Sequence, residues 1–464
     1  MTPEQRAAKG KEARKKVPRK SQAQFDPPHT RPDPVGILEE QGETRVQQLL
    51  PIRYGRMLVS PFTFYRGAAA IMAYDLSTTP NSGLQVQACG DAHLSNFGAF
   101  ASPERSLVFD INDFDETNPG PWEWDLKRLC ASIEIAGRSN GFTEAERREA
   151  VLATVKSYRE AMANFANMGN LEVWYTKLDL IDAFQRMRKL APSKDAKRTK
   201  KELAKAQSRD SMQAMEKFTE VVDGRRRIVS QPPLIINLND LMRIGNVNPA
   251  QVEPDLEHVL KGYRRTLDPD RRHLLDQYTF IDMALKVVGV GSVGTRAWIV
   301  LMEGKDSGDP LFLQAKEATT SVLEPYTGKS KFNTAGQRVV VGQRLMQSAS
   351  DIFLGWHRQK SPVDGSERDY YLRQLRDWKG SADVDSFDPR RMVIYGQVCG
   401  WTLAKAHART GDRIALASYM GTSDALDRAI ADFSVAYADQ NEQDYKALQS
   451  AAKEGRIMAN MNVE

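Results

Sequence analysis

The chain has little of what organises many small or secreted proteins. Its three cysteines, Cys89, Cys130 and Cys399, are widely spaced, odd in number and never arranged as Cys-x-x-Cys. A disulfide framework and a zinc knuckle are therefore not expected. Cys89 is read as a small buried apolar side chain, not a reactive thiol. No apolar run approaches the roughly 20 residues that a membrane-spanning helix needs. The first residues are basic with no apolar stretch behind them, so no secretory signal is expected and a cytoplasmic location is the default. Neither sign of charge dominates, since 65 Lys+Arg against 60 Asp+Glu leaves only +5. Nucleic acid is not an expected partner on that balance. The positive charge gathers at Met1–Lys20, Lys194–Lys205 and Arg225-Arg226-Arg227, read as a tail and solvated surfaces. There is no internal repeat, no Gly-x-Ser-x-Gly and no His-Glu-x-x-His.

What is present falls into two halves of different character. Residues 1–35 combine charge with Pro27, Pro28, Pro32 and Pro34 and read as a disordered basic leader. Arg56–Asp75 reads as a loop entering a helix. Leu84–Ala88 alternates as a strand does. Phe97–Phe100 and Leu107–Ile111 read as a hairpin that carries Asn96 and Asp113 to one side of its sheet. Trp124–Leu190 has helical spacing, 192–235 is charged and turn-rich, and Asn237–Arg264 and Arg271–Ala284 are expected to be helices. Leu285–Gly289, Thr295–Glu303 and Leu311–Lys316 then form an expected antiparallel meander. Helical patterning returns after Gly336, at Met392–Ala408 and at Asp424–Ala438.

Two constellations carry chemistry. Gly90-Asp91-Ala92-His93-Leu94-Ser95-Asn96 follows a strand. That spacing lets Asp91 orient a hydroxyl nucleophile while the Asn96 amide oxygen binds Mg²⁺. A hard divalent cation needs a further carboxylate, and Asp110, Asp113 and Asp115 at the end of the next strand supply candidates. His93 is expected to anchor the loop, and Asp125, at a helix start, to support it. The second constellation is Gly289-Val290-Gly291-Ser292-Val293-Gly294 with Lys316. Because strand-like residues follow the glycines, the setting is a hairpin and not a dinucleotide-binding turn. Gly289, Gly291, Ser292 and Gly294 would let backbone N–H groups reach the phosphates of ATP, and Lys316 on the next strand would extend its ammonium to them.

Gly90–His93 with Asn96 resembles the Gly-Asp-Leu-His-x-x-Asn catalytic loop of aminoglycoside phosphotransferases and related kinases. Ile111-Asn112-Asp113-Phe114-Asp115 resembles their metal-binding segment, and Trp124-Asp125-Leu126 a later Tyr-Asp-Leu. The resemblance implies Asp91 as catalytic base, Asn96 and Asp113 as metal ligands and Asp125 as a structural support. The run from Pro61–Gly67 through Gly90–Gly98 to Gly289–Arg296 is similar to the bacterial proteins grouped as domain of unknown function 2252, over about residues 36–440. Relative to kinases the order is permuted, with the catalytic loop before the glycine loop. Cys89 stands where a histidine or arginine is usual. The acid that should pair with Lys316 has Glu324, Glu317 and Asp351 as candidates.

The expectation is an α+β, protein-kinase-like, two-lobed and circularly permuted fold. Its small antiparallel lobe would span 285–358, and its mostly helical large lobe 36–284 with 359–464. The expected function is ATP- and Mg²⁺-dependent phosphotransfer to an unidentified hydroxyl acceptor. The alternatives are a non-catalytic nucleotide-binding module and a metal-dependent phosphoesterase. All rest on remote stretches meeting at one crevice, with Lys316 facing Asp113.

Overall fold

Short alternating segments make the strands, and longer amphipathic ones the helices. The structure, a computed structural model, describes residues 1–181, 204–222, 224–245, 259–287, 289–360 and 365–461. Strand β1 (Gln85–Ala88) pairs with β4 (Asn118–Pro121), while β2 (Phe97–Ala101) and β3 (Leu107–Ile111) form the expected hairpin with Phe97 opposite Ile111. A short β5 (Leu178–Asp179) extends β3. Beyond the small hairpin of β6 (Thr219–Val222) and β7 (Arg225–Ile228) lies the main sheet. It contains β8 (Ile235–Asn237), β9 (Thr279–Lys286), β10 (Ala297–Glu303), β11 (Pro310–Ala318), β12 (Gly355–Lys360) and β13 (Glu367–Gln374) in the order β12-β13-β11-β10-β9-β8. A final β14 (Gly380–Ser381) pairs with β2. All pairs are antiparallel, and the protein is α+β.

The main sheet is covered on both faces. Ala284, Ile299, Leu301 and Phe312 pack under Ala214, Met215 and Phe218 of the helix Ser211–Phe218. Met283, Val300, Leu313 and Ala315 face the other way, toward Tyr263, Leu267 and Phe353. By the two-residue alternation of a strand, Lys316 shares its face with Gln314 and Phe312, and Glu317 points to the opposite one. The largest core joins helices Trp122–Ser139, Glu144–Asn167, Pro389–Thr410 and Ala425–Lys453, where the rings of Trp122 and Tyr158 stack at 5.7 Å. No helix of the described residues is long and apolar enough to cross a membrane.

Several expectations need correction. Residues 1–35 are not a disordered leader. Pro3–Lys16 is a helix with a Thr2/Gln5 capping box, and it docks on the helix Arg413–Met420. Gly10 sits so close that an added Cβ would lie 2.1 Å from the Ala415 carbonyl oxygen. Arg6 binds Asp412 at 2.8 Å, Gln22 donates to the Tyr419 hydroxyl at 3.0 Å, and Arg31 bridges Asp75 and Asp444. Long-range polar contacts thus hold a segment too poor in apolar residues to have a core of its own. Arg271–Ala284 is not one helix either: Pro269–Leu275 is helical, and Thr279–Lys286 is β9. Pairing along β10 overrides the local helical spacing there. The boundaries at 285 and 358 consequently fall inside or beside strands of a sheet that runs on to Gln374. Arg56–Asp75 contains two helices, Pro61–Gly67 and Ala69–Ser77. Most of the basic run Lys194–Lys205, part of 192–235 and the middle of Asn237–Arg264 lie outside the described residues.

The docked N-terminal helix can be tested directly. Gly10→Val should lower stability by about 1–3 kcal/mol through overpacking against Ala415. Limited trypsin digestion should then cut within Lys9–Lys20 while the rest of the chain survives; equal resistance in parent and variant would refute the docking.

Candidate functional site

The Gly90–Asn96 loop is shaped by backbone constraint and by one buried carboxylate. Gly90 has φ +82°, and a Cβ there would stand 2.4 Å from the Glu116 carbonyl oxygen, so only glycine fits. The N–H groups of Cys89 and Gly90 donate to Asp125 at 2.6 and 2.9 Å. Asp125 is buried in the first turn of Trp122–Ser139, where the His407 ring nitrogen Nε2 meets it at 3.0 Å and Nδ1 meets the Tyr158 hydroxyl at 2.8 Å. Within the loop, the Asn96 amide nitrogen donates to the Asp91 carbonyl at 2.6 Å. Buried His93 accepts from the Ser95 N–H at Nδ1, 3.2 Å, which leaves the proton on Nε2. Burial, with Arg66 and Arg128 nearby, pushes the His93 pKa well down and keeps the ring neutral.

Asp91 is held on one side only. Arg128 gives Nε and Nη2 to its Oδ1 at 2.9 and 2.7 Å, and stacks over the Tyr65 ring at 3.9 Å. The other oxygen, Oδ2, stands 3.7 Å from His93 Nε2. Burial outweighs Arg128 and raises the Asp91 pKa. That combination suits a group that must accept a proton.

The acidic segment after β3 divides. Asp110 turns into the core, where Lys405 and Ser348 bind it. It is a buried structural pair and does not support the site. Asp113 and Asp115 both meet the buried Lys316 ammonium, Asp113 at 3.4 Å and Asp115 in closer contact. Tyr371 donates to Asp115 at 2.8 Å, and the Ser292 hydroxyl lies 3.5 Å from it. Burial alone would raise Asp113, but Lys316 and Arg373 outweigh it and hold the carboxyl down at about 2. Burial and then Asp113 push Asp115 up, while the two acids raise Lys316 against the effect of burial.

None of the three acids expected beside Lys316 is its partner. Glu324 accepts from the Ser321 and Ser330 N–H groups, both at 3.2 Å, and lies 3.7 Å from Arg338. Glu317 binds Arg296, on the opposite face of β11. Asp351 caps the turn before β12 by accepting from the Phe353 N–H at 2.8 Å. The helix Ala335–Met346 contributes a cation instead, since Arg338 donates to the carbonyls of Asp115, Thr117 and Thr319 at 2.6–2.7 Å. A cavity of about 780 Å³ also opens near Glu317, Arg296, Arg338 and Asp369. It contains none of Asp91, Asp113 or Lys316, and its main charges pair with each other.

The glycine turn between β9 and β10 closes over this group. Gly289 and Gly294 adopt φ +64° and +91°, where a side chain would be strained. Arg45 binds the carbonyls of Gly291 and Val293 at 2.7 and 2.6 Å, and Arg56 that of Gly289 at 2.7 Å. Ala297, just past the turn, pairs with Lys316. The structure thus brings Asp91, Asn96, Asp113, Asp115, Ser292 and Lys316 into one neighbourhood and places Asp110 and Glu324 elsewhere.

Residues outside the expected set also belong here. Arg128 had a readable cue: it is one helical turn from Asp125 in Trp124-Asp125-Leu126-Lys127-Arg128, on the same face. Tyr371 and Arg373 lie beyond the expected edge of the small lobe at 358, so no local signal marked them. Arg373 donates to the Asn112 carbonyl at 2.9 Å, and exposed Lys379 lies in the field of Arg373, Asp113 and Lys316.

The donor set can be tested against Mg²⁺. No group of three or more His, Cys, Asp or Glu among the described residues is arranged to hold a metal alone. Mg²⁺ rarely uses such a cage; it takes one or two carboxylates and fills its octahedron with phosphate and water. Asp113, ionised far below neutrality, with the Asn96 amide oxygen, fits that need. Asp113 and Asp115 side by side also repel each other, and a bound cation would relieve that repulsion.

Glu116, next to this group, gives a pH test. It accepts from the Val322 N–H at 2.8 Å, and burial raises its pKa from 4.5 to about 7. The folded state therefore holds this proton more tightly than the unfolded chain. The contribution is complete below pH 4.5 and is lost as pH rises through 7. Denaturant unfolding should show Glu116→Gln gaining about 3 kcal/mol over the parent between pH 4.5 and pH 8; a pH-independent difference would contradict the assignment.

No curated protein and no solved structure matches this chain. A family model does, over residues 45–451, described as "Uncharacterized protein conserved in bacteria (DUF2252)". It spans the Gly90–Asn96 loop, the acidic segment, the glycine turn and Lys316, and the chain belongs to that family.

Proposed function

We propose that the protein is an ATP- and Mg²⁺-dependent phosphotransferase acting on a hydroxyl acceptor, with a circularly permuted, kinase-like pair of lobes. One observation carries this: Lys316, on the third strand of the β9–β10–β11 meander whose first connection is the glycine turn, reaches across to Asp113 and Asp115 of the other half at 3.4 Å and closer. Kinase sites combine a glycine turn over the phosphates, a lysine on the third strand, a metal-binding aspartate and a catalytic-loop aspartate and asparagine. Here one neighbourhood holds a residue for each part.

In this reading Gly289–Gly294 offers backbone N–H groups to the phosphates, and Lys316 neutralises their charge. Asn96 and Asp113 hold Mg²⁺, which when bound supplies charge neutralisation and alignment of the phosphate oxygens. Asp91 Oδ2 accepts the proton of the acceptor hydroxyl. The acceptor oxygen forms its bond to the γ-phosphorus as the bond to the β,γ-bridging oxygen breaks, and ADP leaves. Arg128 fixes Asp91 so that only one oxygen is available, and Asp125 with His407 keeps the loop rigid. Most of the rate enhancement then comes from positioning and electrostatics.

The test is calorimetric Mg·ATP binding together with turnover against sugar, amino-alcohol and lipid-headgroup acceptors. Asp91→Asn should cut turnover about 10³-fold or more with affinity changed less than threefold, the pattern of a lost proton acceptor. Lys316→Met should weaken nucleotide binding. Parent protein that binds no nucleotide would end this proposal. Binding without turnover on any acceptor would point to a nucleotide-binding module, and phosphate-ester hydrolysis indifferent to Lys316→Met to a metal-dependent phosphoesterase.

A further inference from the structure

Arg66 is a half-buried cation that the mechanism above does not use. It ends the helix Pro61–Gly67, which is set by a Ser60/Thr63 capping box. Among the described residues no group hydrogen-bonds its side chain, and its Nε is buried without a partner. Asp91 and Asp385 act on it through space, and it in turn acts on Asp91 and His93. Asp91, however, gives its Oδ1 to Arg128, not to Arg66. Burying the Nε–H without an acceptor has a cost, and the terminal nitrogens are left without a protein partner among the described residues. The terminal nitrogens are therefore both unpaired and reachable by an anion that arrives from outside.

Its position identifies that anion. The Arg66 carbonyl oxygen lies 3.1 Å from where a Cβ of Gly291 would stand, so the backbone of Arg66 touches the middle of the glycine turn. Its side chain neighbours the Asp91 carboxylate. Arg66 therefore spans the two features that would bracket a transferring phosphoryl group: the turn over the phosphates and the carboxylate that takes the acceptor proton. Lys316, by contrast, is already bound by Asp113 and Asp115. We infer that Arg66 is a γ-phosphate ligand, gripping the phosphoryl group that is transferred while Lys316 serves the phosphates that stay behind. A planar guanidinium suits the task, because it can donate two parallel hydrogen bonds to one phosphate. This rests on the proposed phosphotransferase function and adds a role that neither Asp91 nor Lys316 fills.

The experiment compares affinities for Mg·AMP-PNP, a non-hydrolysable ATP analogue, and Mg·ADP by calorimetry on the full chain. The parent should prefer the triphosphate by tenfold or more. Arg66→Ala should bring that ratio close to one while Mg·ADP affinity moves less than threefold. Arg66→Lys, which keeps the charge but not the fork, should fall between, and it remains informative if the alanine variant misfolds. Lys316→Met should weaken both nucleotides and leave the ratio in place. A ratio unchanged in Arg66→Ala and Arg66→Lys would overturn the role of Arg66 alone. A parent that binds neither nucleotide would overturn the underlying function with it.

Discussion

The Lys316 ammonium, caught between Asp113 and Asp115, ties together two halves of the chain that are remote in sequence. Lys316 is 4% exposed, so its charge must be met inside the protein. Meeting it requires β11 of the main sheet to lie against the loop that leaves β3. Once that contact exists, the glycine turn falls beside the acidic segment and Arg45 can reach the Gly291 and Val293 carbonyls. Arg338 makes the same connection through backbone carbonyls, from helix Ala335–Met346 to Asp115 and Thr117. One tie uses charge on charge, the other a guanidinium on peptide dipoles, and both close on the same short loop.

The other wall of the site is fixed by a different device. Asp125 receives two backbone N–H groups of the loop and a ring nitrogen of His407, which Tyr158 holds in turn. This relay runs from the core helices to the backbone of Gly90 without involving the Asp91 carboxylate. It allows Asp91 to be positioned by its own backbone and to keep one oxygen free. Chain order matters little to such an arrangement, because both walls are defined by contacts between elements. Under the proposed function, a permuted connection would serve a kinase-type site as long as Lys316 still faces Asp113.

What could be read from sequence followed the range of the interactions. The β2–β3 hairpin and the β10–β11 pair announced themselves through short strand-forming runs bounded by turn residues, because their partners are near neighbours in the chain. The loop Gly90–Asn96 and the turn Gly289–Gly294 were legible because tight backbone geometry and oxygen-rich chemistry admit few residue types. Where a remote partner decides the outcome, local pattern was silent. Thr279–Lys286 becomes a strand because β10 pairs with it, and Pro3–Lys16 is ordered because Arg413–Met420 receives it. The acid beside Lys316 was sought at Glu324, Glu317 or Asp351 and found on the acidic loop, since nothing near residue 316 in sequence indicates that Asp115 arrives there. Asp110 looked equivalent to Asp113, and only the buried Lys405, far along the chain, separates them.

The charge balance around Lys316 bears on how such a site would work. Asp113 and Asp115 each repel phosphate at close range, even though Lys316 and Arg373 balance their charge. A nucleotide arriving without a metal would add to that repulsion at low effective dielectric, where opposing charges a few ångströms apart matter by several kcal/mol. A metal–nucleotide complex reverses the balance, because the cation offsets the Asp113 and Asp115 charges and frees the ammonium for phosphate oxygens. Under the proposed function, Asp115 thus holds the lysine in place before the substrate arrives, the task that a helix glutamate performs in the usual kinase arrangement. Placing that acid two residues from the metal-binding Asp113 joins lysine positioning and metal binding in a single loop, and Arg338 anchors that loop from behind.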